Sequence, residues 1–230
     1  MGGIPHLYRI VEADQLHALR LTILNEEGIR RGGEYARDTI RAGRGSARAM
    51  LTRDSYQNLV ASYRGSNVIE GLSSELVPLW CDDYYSQNAK AKLVQVDLDY
   101  AGTSFSYLFD IHLERTIGAF GVPVYASHAR DASRMAGYPL PGGPKFHRGH
   151  LMAHSIGGGM DINLVPQLGK LNIGAFRVLE RKVRDLARAH HSCLYFVRPI
   201  YTNKSQTPRL LEQGVVLPSK MLIYRLHKNS

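Results

Sequence analysis

A mixed α+β domain from about residue 90 to the end, behind a more helical N-terminal portion, is the fold class this sequence predicts. Two observations carry it. In "KLVQVDLDY" (92–100), Leu93, Gln95, Asp97 and Asp99 alternate with Val94, Val96 and Leu98, which is the period of a strand. Residues 174–190 instead place Phe176, Leu179, Val183 and Leu186 at helical spacing, an apolar stripe facing a core. Both periodicities in one chain fit layers of helix and sheet around a shared core.

The elements follow in chain order. Asp14 is placed to cap a helix carrying Leu16, Leu19, Ile23 and Leu24, with Gly28 near its end. "RRGGEYARDTIRAGRGSARAMLTR" (30–53) then brings Arg37, Arg41, Arg44 and Arg48 to one helical face. Gly43 and Gly45 weaken that helix by about 1 kcal/mol each. The row suits a substrate surface or a docking face, and equally a solvated segment. After the strand at 92–100, "SYLFDIHL" (106–113) and "VPVYAS" (122–127) are expected as further strands. "ASRMAGYPLPGGPKF" (132–146) is loop by its glycines and prolines. Beyond the helix, "CLYFVRPIY" (193–201), "GVVLP" (214–218) and "MLIYRL" (221–226) return to strand.

Composition narrows the function. With 230 residues, 44% hydrophobic and 21% charged, the chain can bury a core without staples. Its net charge of +9 favours a polyanionic partner. Cys81 and Cys193 cannot make a metal-binding quartet, and two reduced thiols are expected over one disulfide. The N-terminus has no basic segment leading into an apolar one, and no apolar run approaches the length of a membrane span. The expected location is the cytoplasm, or outside it by a specialised export route without a signal peptide, with no membrane partner.

One stretch is too specified for a plain core or loop: "FHRGHLMAHSIGGGMDINLVPQLGKLNIGAFRVLER", from Phe146 to Arg181. His150 can take a proton from water near neutral pH. Arg148 shares its strand face and carries a guanidinium suited to phosphate, and Gly149 between them permits a close backbone approach. Asn172 offers a neutral hard oxygen suited to Mg²⁺, although an Asn before a helix is more often an N-cap. Glu180 and Arg184 lie four apart on the border of the apolar stripe, where an ordinary surface pair is worth only a few tenths of a kcal/mol. His147, His150 and His154 allow a zinc reading, which Gly149 and the strand context fit poorly. "GGG" (157–159) reads as a flexible connection between the two halves of this stretch.

Together these residues resemble the DNA/RNA non-specific endonuclease family, the ββα-metal (His-Me finger) nucleases. The elements are "RGH" (148–150), "NLVPQ" (163–167), "LNIG" (171–174) and "LER" (179–181), with "FVRPIY" (196–201) as a strand after the helix. The resemblance implies a ββα-metal core on a mixed, mainly antiparallel sheet. It implies His150 as general base, Asn172 as ligand of a single Mg²⁺ for which Mn²⁺ can substitute, and Glu180 holding a water of the metal. Arg148 and Arg184 would neutralise the phosphate, and Asn163 would support the site by hydrogen bonding. Many members carry Asp before the Arg-Gly-His, where this chain has His147.

The expected function is thus a metal-dependent endonuclease hydrolysing DNA, with RNA as a further substrate, at little sequence specificity. The competing class is a nucleic-acid-binding module with a vestigial site. A nuclease of this kind needs an inhibitor, an activation step or export. The expected role is therefore a toxin of interbacterial competition held by an acidic immunity protein, or an effector of antiphage defence. Residues 1–90 are expected as the delivery or partner region and 91–230 as the nuclease domain.

Overall fold

A computed structural model describes residues 19–23, 51–100, 102–127, 142–159 and 161–230. Among them are strands β1 (Leu19–Ile23), β2 (Leu93–Tyr100), β3 (Thr103–Asp110), β4 (Arg115–Gly121), β5 (Phe146–His150), β6 (Leu164–Leu168), β7 (Leu194–Ile200), β8 (Leu210–Val216) and β9 (Leu222–Lys228). The helices are α1 (Arg53–Ser62), α2 (Val68–Gln87), α3 (Gly169–Ile173) and α4 (Ala175–Arg188), with short 3₁₀ turns at His154–Ile156 and Asp161–Asn163. The fold is α+β. Seven strands form an antiparallel sheet in the order β1-β2-β3-β4-β7-β8-β9, and β5 and β6 form a separate antiparallel hairpin.

The sheet is buried on both faces, and strand alternation assigns side chains to two different cores. Leu93, Leu108, Ile117, Phe120, Leu194 and Phe196 face a cluster with Leu59, Leu72, Leu76 and Trp80 of α1 and α2. Val94, Val96, Tyr107, Ala119, Tyr195 and Val197 face a second cluster with Leu151, Ile156, Val165, Phe176 and Val183. This is why "LYFV" in β7 reads as an uninterrupted apolar run. The first core continues across residue 90, so the change in secondary structure there is not a change of core.

The first face also holds a buried polar network. Glu212 of β8 accepts from Tyr56 Oη (2.9 Å), Arg198 Nε (2.7 Å) and Tyr224 Oη (2.9 Å). Arg198 donates onward to Asp83 at 3.0 Å, and Trp80 donates to Tyr56 at 2.9 Å. Burying such charges is tolerable only because each is met by partners. The network ties α1 and α2 to three strands, and it points Arg198 of "FVRPIY" away from the hairpin.

Three sequence expectations need correction. Residues 19–23 are an edge strand paired with β2, Leu21 opposite Val96, not the middle of a helix. An open sheet edge supplies backbone partners that local helical spacing cannot outweigh. The strand expected at 122–127 is instead β4 at Arg115–Gly121. Beyond it Pro123 lacks an N–H, and the amides of Val124 and Ala126 bond Ile156 and Ser155 carbonyls at 3.3 and 3.1 Å rather than a strand. The glycines 157–159 are buried rather than a loose connection. Gly157 has φ +88°, and a Cβ on it would collide with Thr103, while one on Gly158 would collide with the Met152 carbonyl. The remaining expected strands and the helix at 174–190 appear as β2, β3, β7, β8, β9 and α4. The arginine row at 37, 41, 44 and 48 lies outside the described residues, as does Asp14.

Candidate active site

β5 and β6 pair with His147 opposite Gln167, Gly149 opposite Val165 and His150 opposite Leu164. Strand alternation sends Arg148 and His150, both half-buried, to one face and His147 to the other. Gly149 is required by packing, since a Cβ there would drive into the fully buried Gln167 side chain. His147 and His150 therefore do not converge. Among the described residues no group of three or more His, Cys, Asp or Glu could hold a metal ion, which leaves the three-histidine zinc reading without a site there.

The segment joining the two strands is held from within by Asn163, which is fully buried. Its Oδ1 accepts from Met152 N (2.7 Å), and its Nδ2 donates to the carbonyls of Met152 (2.7 Å) and Gly159 (2.6 Å). Its own carbonyl accepts from Leu151 N at 2.8 Å. One side chain thus closes the loop that follows His150. A second buried asparagine anchors the other strand. Asn229 accepts from Leu168 N at 2.7 Å and donates to the carbonyls of Pro166 (3.0 Å) and Pro208 (2.8 Å), pinning the hairpin to the main sheet.

α3 packs on both hairpin strands and against α4, and α4 packs on the 154–156 turn and on β8. Asn172 is half-exposed on α3. It is not a cap, because Gly174 occupies the N-cap of α4 and no side chain caps that end. Its amide Nδ2 lies 3.5 Å from His147 Nδ1, and the His147 ring sits against Gly169, where a Cβ would come within 2.6 Å of Nε2. That contact involves His147, the residue directly before the Arg-Gly-His.

On α4 the buried face is Phe176, Leu179, Val183 and Ala187. Glu180 is half-buried beside it. Arg184 turns its guanidinium back on its neighbour, with Nε and Nη2 at 3.1 and 2.8 Å from Asp185 Oδ1. Both side chains are substantially exposed, so this pair is weak and can exchange for another anion. One feature was missed from the sequence. Arg177, Arg181, Arg184 and Arg188 recur at intervals of four, three and four, which makes a single stripe on a helix. Arg177, Arg181 and Arg188 are exposed, and Arg188 also stacks over Tyr125, 5.7 Å from the ring centre. The stripe runs alongside the apolar face of the same helix and is readable from the spacing alone.

The two thiols take no part. Cys81 and Cys193 are both buried and unbridged. Burial, with Asp82 adding to it, pushes the Cys81 thiol up to about 12, and burial pushes Cys193 up to about 11, so neither is a nucleophile.

Hairpin, α3 and α4 thus pack as one ββα unit that carries Arg148, His150, Asn163, Asn172, Glu180 and Arg184. Comparison with known proteins meets the same segment. No curated protein matches the chain. Among solved structures, nuclease NucA from Streptococcus agalactiae with magnesium bound is similar at 13% identity and TM-score 0.47, over 65% of this chain and 89% of that one. Its metal-free form gives 12% and 0.47, over 71% and 92%. The Sda1 nuclease with bound zinc gives 16% and 0.41, over 50% and 71%. Residues 124–214 match the family described as DNA/RNA non-specific endonuclease, a segment that spans the ββα unit and continues into β8.

Proposed function

We propose that this chain hydrolyses phosphodiester bonds of DNA, and of RNA as a further substrate, with little sequence preference, using a water activated by His150 and one Mg²⁺, for which Mn²⁺ substitutes. The observation that carries the reading is the ββα unit itself, which joins the Arg148–His150 strand, the Asn172 helix and the Glu180 helix in one packed body.

The residues present fit a hard cation. The Asn172 amide oxygen on α3 and the Glu180 carboxylate on α4 are neutral and anionic oxygen donors, both half-buried, so part of each stays open to the waters that Mg²⁺ keeps. Asn172 would hold the ion. When bound, it supplies Lewis-acid stabilisation of the charge that builds on the phosphate. His150 takes the proton of the attacking water, whose oxygen bonds phosphorus as the bond to the leaving oxygen breaks. Glu180 orients a water in the site. Arg148, on the same strand face as His150, and Arg184, once it leaves Asp185, meet the nonbridging oxygens. Asn163 keeps the loop after His150 in place.

The proposed role is a toxin of interbacterial competition or an effector of antiphage defence, restrained by an acidic inhibitor. Residues 1–90 would include the delivery or partner contact and 91–230 the nuclease, acting in the cytoplasm or after export by a specialised route. A plasmid-nicking assay tests the activity: supercoiled DNA should be nicked with Mg²⁺ and left intact in chelator, and intact plasmid under both conditions would sink the reading.

The arginine stripe on α4 adds a second expectation. Phosphate contacts carry affinity without sequence information and release counterions. The double substitution Arg177→Glu and Arg181→Glu should weaken DNA binding and reduce the magnitude of its salt slope by about two. Binding titrations across salt, on unrelated sequences, check this, and an unchanged slope would remove the stripe from the substrate surface.

A further inference from the structure

α4 and β9 enclose a groove that the catalytic scheme leaves unused. It holds about 360 Å³ between Val178, Leu179 and Lys182 of the helix and Ile223, Arg225 and His227 of the strand. Successive residues of an α-helix turn by about 100°, which puts Val178 and Lys182 on the flank of α4 opposite Glu180 and Arg184. The groove is therefore separate from the nuclease site. Its floor is fixed from below. Gln213 of β8 donates through Nε2 to Tyr195 Oη at 2.9 Å and to the Phe176 carbonyl of α4 at 3.3 Å. Its Oε1, which only accepts, receives a hydrogen bond from His227 Nε2 at 2.8 Å. One buried side chain thus joins the two walls, and the groove is preformed.

β9 also ends the sheet, and among the described residues no strand pairs with its outer side. At the two ends of its pairing with β8, Leu217 N bonds the Met221 carbonyl at 3.0 Å and Asn229 N bonds the Arg209 carbonyl at 2.8 Å. Antiparallel hydrogen bonding alternates, so residues 221, 223, 225, 227 and 229 turn their backbone groups to β8. Those of Leu222, Tyr224, Leu226 and Lys228 face outward, where Arg225 Nη1 covers the Tyr224 carbonyl at 3.0 Å. Along this edge Val178 is 66% exposed and Leu226 46%. Cations on an edge strand commonly discourage pairing, whereas open apolar surface beside one marks a binding face.

We infer that β9 and this groove dock an extended acidic segment of a partner protein, which adds a strand to the sheet and seats alternate apolar side chains in the groove. Charge selects the occupant. Lys182, Arg225 and Lys228 border the edge and are all exposed, and Asp185, farther along the same helix, is already paired with Arg184. A second copy of this chain, itself at +9, would meet like charge. Nucleic acid would use the cations and leave the apolar floor and the backbone edge unmet. The inference gives the acidic partner of the proposed role a place to dock and rests on that part of the reading. Lying on the far flank of α4, the groove serves as a tether and does not cover the nuclease site.

The probe is a short fluorescein-labelled peptide of alternating valine and glutamate, titrated into the full chain without metal. Saturable binding is expected, with slowed hydrogen exchange at the amides of Leu222, Tyr224, Leu226 and Lys228 and unchanged exchange at Ile223 and Arg225. A valine–lysine peptide should not bind. Val178→Glu combined with Lys182→Glu, both at exposed positions, should weaken binding of the acidic peptide about tenfold or more. The same variant should leave plasmid nicking and DNA affinity unchanged. Acidic-peptide binding that survives the variant, or leaves the outer amides unprotected, would overturn the groove and keep the acidic partner. No binding, or equal binding of the lysine peptide, would overturn both. DNA affinity that falls with the variant would assign the groove to substrate and overturn the inference. Peptide binding is read without cleavage, so an inactive chain that binds as expected still supports it.

Discussion

Purified His150→Ala should cleave plasmid DNA at least about a hundredfold more slowly than the unaltered chain, the usual contribution of a positioned general base. The loss should fall on the chemical step. His150 is half-buried at the end of β5, where Leu164 faces it across the hairpin. The backbone just beyond it is held by Asn163 at both Leu151 and Met152, so a truncated side chain leaves the strand end in place. Fold, melting temperature and DNA affinity should stay near those of the parent. Cleavage at the parental rate by His150→Ala would remove the proposed mechanism, whatever else the family match implies.

Asn172→Ala is expected to raise the metal concentration needed for half-maximal cleavage by roughly tenfold or more, since even residues behind a metal ligand commonly shift affinity that far. Chelation should stop cleavage by the parent, and either Mg²⁺ or Mn²⁺ should restore it. The substitution should be mild for folding. Asn172 caps nothing, and α3 is held from its own start by Gly169 N on the Lys145 carbonyl at 2.9 Å. A direct Mn²⁺ binding isotherm separates loss of the ion from loss of the base, because His150→Ala should bind the ion normally. Activity that survives exhaustive chelation would exclude a one-metal hydrolysis.

The contrast between α4 and β1 explains what was legible. The apolar positions 176, 179 and 183 of α4 recur at the helical period and are all buried, so pattern and packing agree. At 14–28 a helical spacing was equally readable, yet 19–23 pair along β2. Backbone hydrogen bonding to an open edge has no local signature. The glycines show a different limit. Their flexibility could be read from the chain, but the collisions with Thr103 and Met152 that require them come from residues distant or turned back in space.

By itself the sequence determined the α+β class, the helix from residue 174 and the strands that flank it from 193 onward, and the resemblance to the endonuclease family, because each rests on residue types at short, regular spacing. The tertiary structure alone decided that His147 and His150 part company across β5, that Asn172 meets His147 instead of capping α4, and that Arg184 rests on Asp185. It also decided that Tyr195, Gln213 and His227, scattered over more than thirty residues, join in one buried hydrogen-bonded run across β7, β8 and β9. The reason is physical. Period and propensity act within a few residues, whereas which face a side chain meets is set by strand register and by the helices laid over the sheet.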